Sequence, residues 1–280
     1  MNYDLFVSDF DGTLVKADGT ISAHTKEVIA TYRERGGIFT ICTGRMVSSI
    51  LPRARELGIT SGPVIAFQGS VIYDMGKGEV IRAGCFPREA ALSLIRLLEE
   101  AGLHIHIYTV WDLFTNCRDG MLEAYERVCG VRGTVVWGSL ADYAAQEGLE
   151  IVKVLVMVEP EKREALRERL SQSLGKEYYV TSSSDWLVEV MPAGENKGRA
   201  VTYLSEYHHI PAARIAAAGD QLNDLPMLEA AGGKFAVRNG VEALKRVAFV
   251  IPSNEEDGVA FALERYVMKG DAEAPEGGQQ

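Results

Sequence analysis

A chain of 280 residues, 47% of them apolar, is long enough for one large domain or two ordinary ones with a real core, which excludes disorder for most of its length. Its 29 basic residues against 39 acidic ones give a net charge of −10, which disfavours nucleic acid and anionic membrane surfaces, where binding depends on neutralising phosphates with Lys and Arg. Cys42, Cys85, Cys117 and Cys129 form no CxxC pair, the N-terminus lacks a signal-peptide pattern, and no apolar run approaches the ~20 residues of a spanning helix, so a reduced, cytoplasmic enzyme is expected.

Residues 3–8 read as a buried strand that runs into Asp9-Phe10-Asp11-Gly12-Thr13-Leu14. Side chains alternate along a strand, so Asp9 and Asp11 share one face, and Gly12 lets the chain turn just beyond them. Like charges this close repel unless a cation or a shared proton offsets them. A hard divalent ion such as Mg2+ fits, because it takes oxygen ligands. Alone, the same six residues also read as an acidic strand-to-turn junction. A helix is predicted over 23–35 and a strand over 37–42, followed by Thr43-Gly44-Arg45 at the start of a helix over 46–57. A hydroxyl, a glycine N–H and a helix start suit an anion, although a plain turn with an N-cap has the same composition. Residues 63–67 are a further apolar strand.

The pattern changes between 85 and 187. A helix over 88–101, strands over 104–110 and 150–158, a helix over 161–173 and a strand over 178–182 indicate an inserted α+β domain. The α/β alternation then resumes. Pro192-Ala193-Gly194-Glu195-Asn196-Lys197-Gly198 puts a lysine at the beginning of a helix over 196–208, where the dipole disfavours a cation unless an anion lies nearby. After a strand over 214–218, Gly219-Asp220-Gln221-Leu222-Asn223-Asp224 sets two carboxylates four apart at a helix start, one more than capping needs. Near-continuous apolar strands separated by helices predict a doubly wound, Rossmann-like parallel sheet, with core segments 1–84 and 188–268, the insertion at 85–187, and an unordered tail at 269–280.

In this order and spacing, Asp9–Leu14, Thr43–Arg45, Lys197-Gly198 and Gly219–Asp224 resemble the four motifs of the haloacid dehalogenase-like phosphohydrolases. The match is nearest the Cof-type branch, whose cap domain lies between the second and third motifs. Departures are Gln221, where Gly is common, Gln68-Gly69 in place of Asn-Gly, and Arg238-Asn239-Gly240 in place of Gly-Asn-Ala.

The resemblance implies a Mg2+-dependent phosphatase. Asp9 would attack phosphorus to give an aspartyl-phosphate, and Asp11 would protonate the leaving oxygen and then deprotonate the hydrolytic water. Mg2+ would be held by the Asp9 side chain, the Asp11 carbonyl and Asp220, with Asp224 supporting them and Thr13 orienting the loop. Phosphoryl oxygens would be held by Lys197, Thr43, the N–H groups of Gly44 and Phe10, and Asn223. The expected partner is a small phosphorylated metabolite, a sugar phosphate or cofactor phosphate, with no nucleic acid or membrane and a monomer or small homo-oligomer as the assembly. A phosphosugar mutase of the same superfamily and a non-enzymatic phosphometabolite sensor are the alternatives.

The cap would act as a lid that chooses the leaving group. His104 and His106 face the same way on a strand; a zinc pair would need a third ligand, and a cap-surface or core pair is the expectation. Trp111, Trp137 and Trp186 read as packing, Cys42 as a buried thiol, and Arg45 as either a substrate contact or an exposed helix residue.

Overall fold

Leu5, Phe6, Val7 and Ser8 are all buried, as a strand covered on both faces demands. The computed structural model describes residues 1–268, and every statement below concerns those; the expected tail at 269–280 lies outside them. Among the described residues, five parallel strands form the central sheet in the order Phe249–Ile251, Gly233–Val237, Ile215–Gly219, Leu5–Ser8, Ile38–Ile41. The alternation of Leu5–Ser8 sorts the two sides. Phe6 packs with Phe39, Phe235 and the helices Ala23–Glu34 and Val47–Glu56, whereas Leu5 and Val7 pack with the helices Lys197–His208 and Leu225–Glu229. This is the doubly wound α/β core expected from the sequence.

Strand Pro63–Ala66 lies beside Ile38–Ile41, tied by Thr43 N to the Ile65 carbonyl (3.0 Å) and by the Thr40 hydroxyl to the Pro63 carbonyl (2.7 Å). It then pairs antiparallel with Val71–Asp74, which pairs with Glu79–Ala83. Sequence reading gave the first of these three strands, over 63–67, and missed the other two, together with strands Gly233–Val237 and Phe249–Ile251.

The inserted domain carries a six-stranded sheet in the order Tyr178–Ser184, Leu187–Pro192, Lys153–Met157, His104–Tyr108, Leu113–Thr115, Thr134–Val135. Ile105, Ile107, Val154, Val156, Val188 and Val190 point to one face, under helices Arg88–Glu100, Leu140–Gln146 and Pro160–Leu174. Their neighbours Tyr108, Leu155 and Leu187 point to the other face and join the apolar cluster of the core domain. Strand Leu187–Pro192 is therefore part of the insertion, bonded on both sides within its sheet. We propose the return crossing at 192–196 rather than at 187, where the sequence placed it. Outgoing and returning strands meet where Arg82 grips Glu195 through two ion-pair contacts at 2.7 and 2.5 Å, with Gly84 against the same carboxylate. No helix among the described residues is long and apolar enough to cross a membrane.

Candidate active site

Three neighbouring parallel strands deliver the predicted residues to one sheet edge. Asp9 follows Leu5–Ser8, Thr43 follows Ile38–Ile41 by way of buried Cys42, and Asp220 follows Ile215–Gly219. These are carboxyl ends, where parallel sheets place ligands. Asp9, Asp220 and Asp224 are buried, with oxygens within 4.8 Å of one another. Lys197 begins its helix behind them, and Asn196 caps that helix by accepting from Arg199 N at 2.9 Å. The Lys197 ammonium, fully buried, donates to Asp9 Oδ1 and Asp224 Oδ1 at 2.5 Å each. The other Asp224 oxygen accepts from the N–H groups of Asp220 (2.9 Å) and Gln221 (3.0 Å), so it shapes the loop that presents Asp220. Thr13 donates its hydroxyl to Asp220 Oδ1 at 2.8 Å. Gly12, at φ 82°, is required there twice over, since a side chain would collide with Asp220 as well as strain the backbone.

Three buried carboxylates share one ammonium. Burial raises the Asp9 carboxyl well above its ordinary range; Lys197 pulls it down, but Asp224 and Asp220 push it up again. Burial, then Asp224, pushes Asp220 up to about 6. For Lys197 burial opposes the charge, yet Asp224 and Asp9 outweigh it and hold the ammonium firmly protonated. The cluster thus carries more negative charge than its own cation offsets, on hard oxygen donors alone. Such a set fits Mg2+.

Asp11 stands apart from this cluster. Its side chain is 50% exposed and is held by both arms of Arg45, Nε to Oδ2 at 2.7 Å and Nη2 to Oδ1 at 2.6 Å. The remaining Arg45 Nη1 donates to the Val128 carbonyl of the cap at 3.1 Å. Arg45 is thus a clamp, 13% exposed, rather than an open helix residue. Phe10 is buried beneath its guanidinium, 5.2 Å from the ring centre, so any ligand contact by Phe10 falls to its main chain.

A cleft of about 180 Å³ opens over Asp9, Asp11, Thr43, Gly44, Asp220 and Asn223 on the core side. Tyr125, Val128, Trp186 and Glu189 close it from the cap. Lys197 and Asp224 sit behind the Asp9 carboxylate and do not line it. Asn223 donates to Gln68 Oε1 at 2.9 Å and leaves its own buried Oδ1 without a partner at the cleft.

Three residues here were not singled out from the sequence as site residues. Gln68, noted only as a departure, has φ 58° beside Phe67 at φ 50°, a strained pair of the kind kept where a loop has work to do. Its amide donates to Glu189, which also binds Lys153 at 2.9 Å, and Lys153 reaches the Gly44 carbonyl at 2.8 Å. The available signal was one charge in each of two otherwise apolar strands, Lys153–Met157 and Leu187–Pro192. Of the tryptophans, only Trp186 lines the cleft. Trp137 is 87% exposed and Trp111 half-exposed, so packing does not describe Trp137.

A sequence model of the haloacid dehalogenase-like hydrolases matches residues 6–263. The chain is 29% identical to the 5-amino-6-(5-phospho-D-ribitylamino)uracil phosphatase YwtE of Bacillus subtilis, covering 92% of this chain and 96% of that protein. It is also 29% identical to the pyridoxal phosphate phosphatase YbhA of Escherichia coli, over 90% of this chain and 94% of that one. A crystal structure of a Thermotoga maritima protein, 28% identical, superposes with a TM-score of 0.80 over 94% of this chain and 97% of its own.

Proposed function

The chain belongs to the haloacid dehalogenase-like hydrolases, in their Cof-type branch, and is a phosphoric monoester hydrolase; we propose that it releases phosphate from a small phosphorylated metabolite through a phosphorylated Asp9. The observation that carries this reading is the contact of Lys197 with Asp9 Oδ1, which orients a buried carboxylate that lines the cleft, where it can attack phosphorus. Asp9, Asp220 and the Asp11 carbonyl would hold Mg2+, which offsets phosphoryl charge when bound. Thr43, the Gly44 N–H and the Phe10 N–H form the anion side of the pocket, with Asn223 beside them.

Asp11 is the proton carrier. Arg45 has only donors and therefore grips the ionised carboxylate, so Asp11 must leave that grip to hold a proton for the leaving oxygen. Once the leaving group has gone, the ionised form accepts a proton from the attacking water. Because proton transfer to the leaving oxygen needs a second acid at the cleft, the presence of Asp11 there favours turnover over sensing.

The cap wall narrows the substrate. Tyr125 and Trp186 meet edge to face, 6.3 Å between ring centres, where a leaving group would rest. Flat faces of this kind favour a ring-bearing leaving group, and the two named relatives both act on phosphates that carry a nitrogen heterocycle. A cofactor or cofactor-precursor phosphate is therefore placed ahead of a plain sugar phosphate. The test is phosphate release from a panel of phosphorylated metabolites with Mg2+, by wild type and Asp9→Asn. Release from no substrate, or equal release by Asp9→Asn, removes the proposal.

A further inference from the structure

The core-facing side of the cap sheet carries a second group of ligand atoms, far from the catalytic carboxylates in sequence and unused by the mechanism. His104 and His106 project from strand His104–Tyr108, and the turn after Leu113–Thr115 brings Cys117 and Asp119 against His104. His104 Nδ1 and Asp119 Oδ2 are 3.1 Å apart, and Cys117 Sγ is 3.7 Å from that same oxygen. Ligand atoms roughly 2.0–2.3 Å from a tetrahedral zinc ion stand about 3.3–3.6 Å from one another. The two measured edges differ from that spacing by a few tenths of an ångström.

The His104 side chain is 10% exposed, and its Nδ1 is buried with no hydrogen-bond partner. The Asp119 oxygen is near it but not aligned with it, an arrangement that makes a poor hydrogen bond and suits two ligands of one ion. The surrounding groups are committed so as to leave the right atoms free. Asp119 Oδ1 caps helix Gly120–Cys129 by accepting from Met121 N and Leu122 N, both at 2.9 Å, while Oδ2 accepts from the Cys117 thiol, a contact given up when the thiolate ligates. His104 Nε2 lies 3.2 Å from His106 Nε2, and His106 Nδ1 lies 3.2 Å from the Tyr108 hydroxyl. A proton on His104 Nε2, shared with His106, leaves the Nδ1 lone pair for a cation, the outer-shell arrangement that fixes a ligating imidazole.

We propose that His104, Cys117 and Asp119 form a metal site on the cap, separate from the catalytic one, which takes a borderline-soft divalent cation such as Zn2+ with water in the fourth position. Imidazole and thiolate discriminate against Mg2+, so the two sites sort their ions by donor chemistry. On binding, the Cys117 thiol gives its proton to solvent and the thiolate ligates. The site also reaches the cleft: His106 leads to Tyr108, whose hydroxyl donates to that of Tyr125 at 2.8 Å, and Tyr125 lines the substrate wall.

Cobalt is the probe, because thiolate ligation gives a charge-transfer absorption and tetrahedral geometry gives visible bands. Full-length protein, stripped with a chelator and held in excess Mg2+, is titrated with Co2+ and then back-titrated with Zn2+. One Co2+ per chain is expected, with a charge-transfer band that Zn2+ erases. The band should disappear in Cys117→Ser and in His104→Ala and persist in Asp9→Asn, which alters only the catalytic cluster. Asp119→Asn keeps an oxygen to cap the helix but loses the anionic ligand, so it should weaken Co2+ binding while its circular dichroism matches wild type. A missing band in wild type, a band that survives Cys117→Ser, or one lost in Asp9→Asn overturns the site.

Discussion

Gln68 and Glu189 join across the boundary between the core and the inserted domain, the Gln68 amide on one carboxylate oxygen and Lys153 on the other. Lys153 and Glu189 are each 1% exposed, so removing one leaves the other charged in a dry setting. Glu189→Ala should cost about 3–5 kcal/mol. Gln68→Ala, which removes a neutral donor, should cost about 1–3 kcal/mol. Urea unfolding measures both, and a Glu189→Ala protein as stable as wild type contradicts a buried ion pair that matters to the fold.

Asp9→Asn should abolish turnover, because an amide is a poor nucleophile. The protein should still fold, as Lys197 keeps Asp224 for a partner. Activity within tenfold of wild type rules out the covalent route.

Asp11→Asn tests proton transfer. Loss of general acid catalysis should slow alkyl phosphates by about 10²–10⁴-fold and spare aryl phosphates with acidic leaving groups. Equal losses for nitrophenyl phosphate and an alkyl phosphate would falsify the acid role.

Asp220 predicts how stability follows pH. Its folded carboxyl titrates at about 6, above the ordinary range near 3.8, so the folded state binds more protons between those values. Its contribution is therefore complete below the unfolded value and fades as pH rises through about 6. Added Mg2+ competes with that proton. Chelated protein should lose Tm on this account between pH 4 and about 7, and Mg2+ should raise Tm more at the upper end than at the lower. An equal Mg2+ shift at both ends contradicts a metal site that includes Asp220.

Trp186→Ala separates the cap wall from the chemistry. Ring-bearing substrates should lose kcat/KM by about tenfold or more while nitrophenyl phosphate loses little, because contacts remote from phosphorus act through orientation. Uniform loss on every substrate assigns Trp186 a structural role.

The sheet edge was legible because each core motif sits where an apolar strand ends, and strand ends of a parallel sheet converge. Asp9, Thr43 and Asp220 could be placed at such strand ends, whereas their roles, and that of Lys197, rested on the family resemblance. Strand Leu187–Pro192 was misassigned because Leu187, Val188, Val190 and Met191 look the same in either sheet; only pairing with Lys153–Met157 decides. Phe249–Ile251, three residues long and half-exposed, carries too little periodicity to register. Arg45 could not be assigned to Asp11, since the pair is 34 residues apart and depends on how the second strand lies beside the first. Cys117 and Asp119 were equally hidden, because a turn brings them to His104.

The Arg82–Glu195 clasp has a consequence for how such a protein can change over generations. Because the chain leaves the core and returns to it at one point, the insertion has a single covalent mount, and its other ties to the core are non-covalent contacts such as Gln68 with Glu189 and Arg45 with the Val128 carbonyl. The insertion can be lengthened, exchanged or rebuilt without re-threading the central sheet, and new substrates can be acquired while the phosphate-cleaving apparatus is inherited intact.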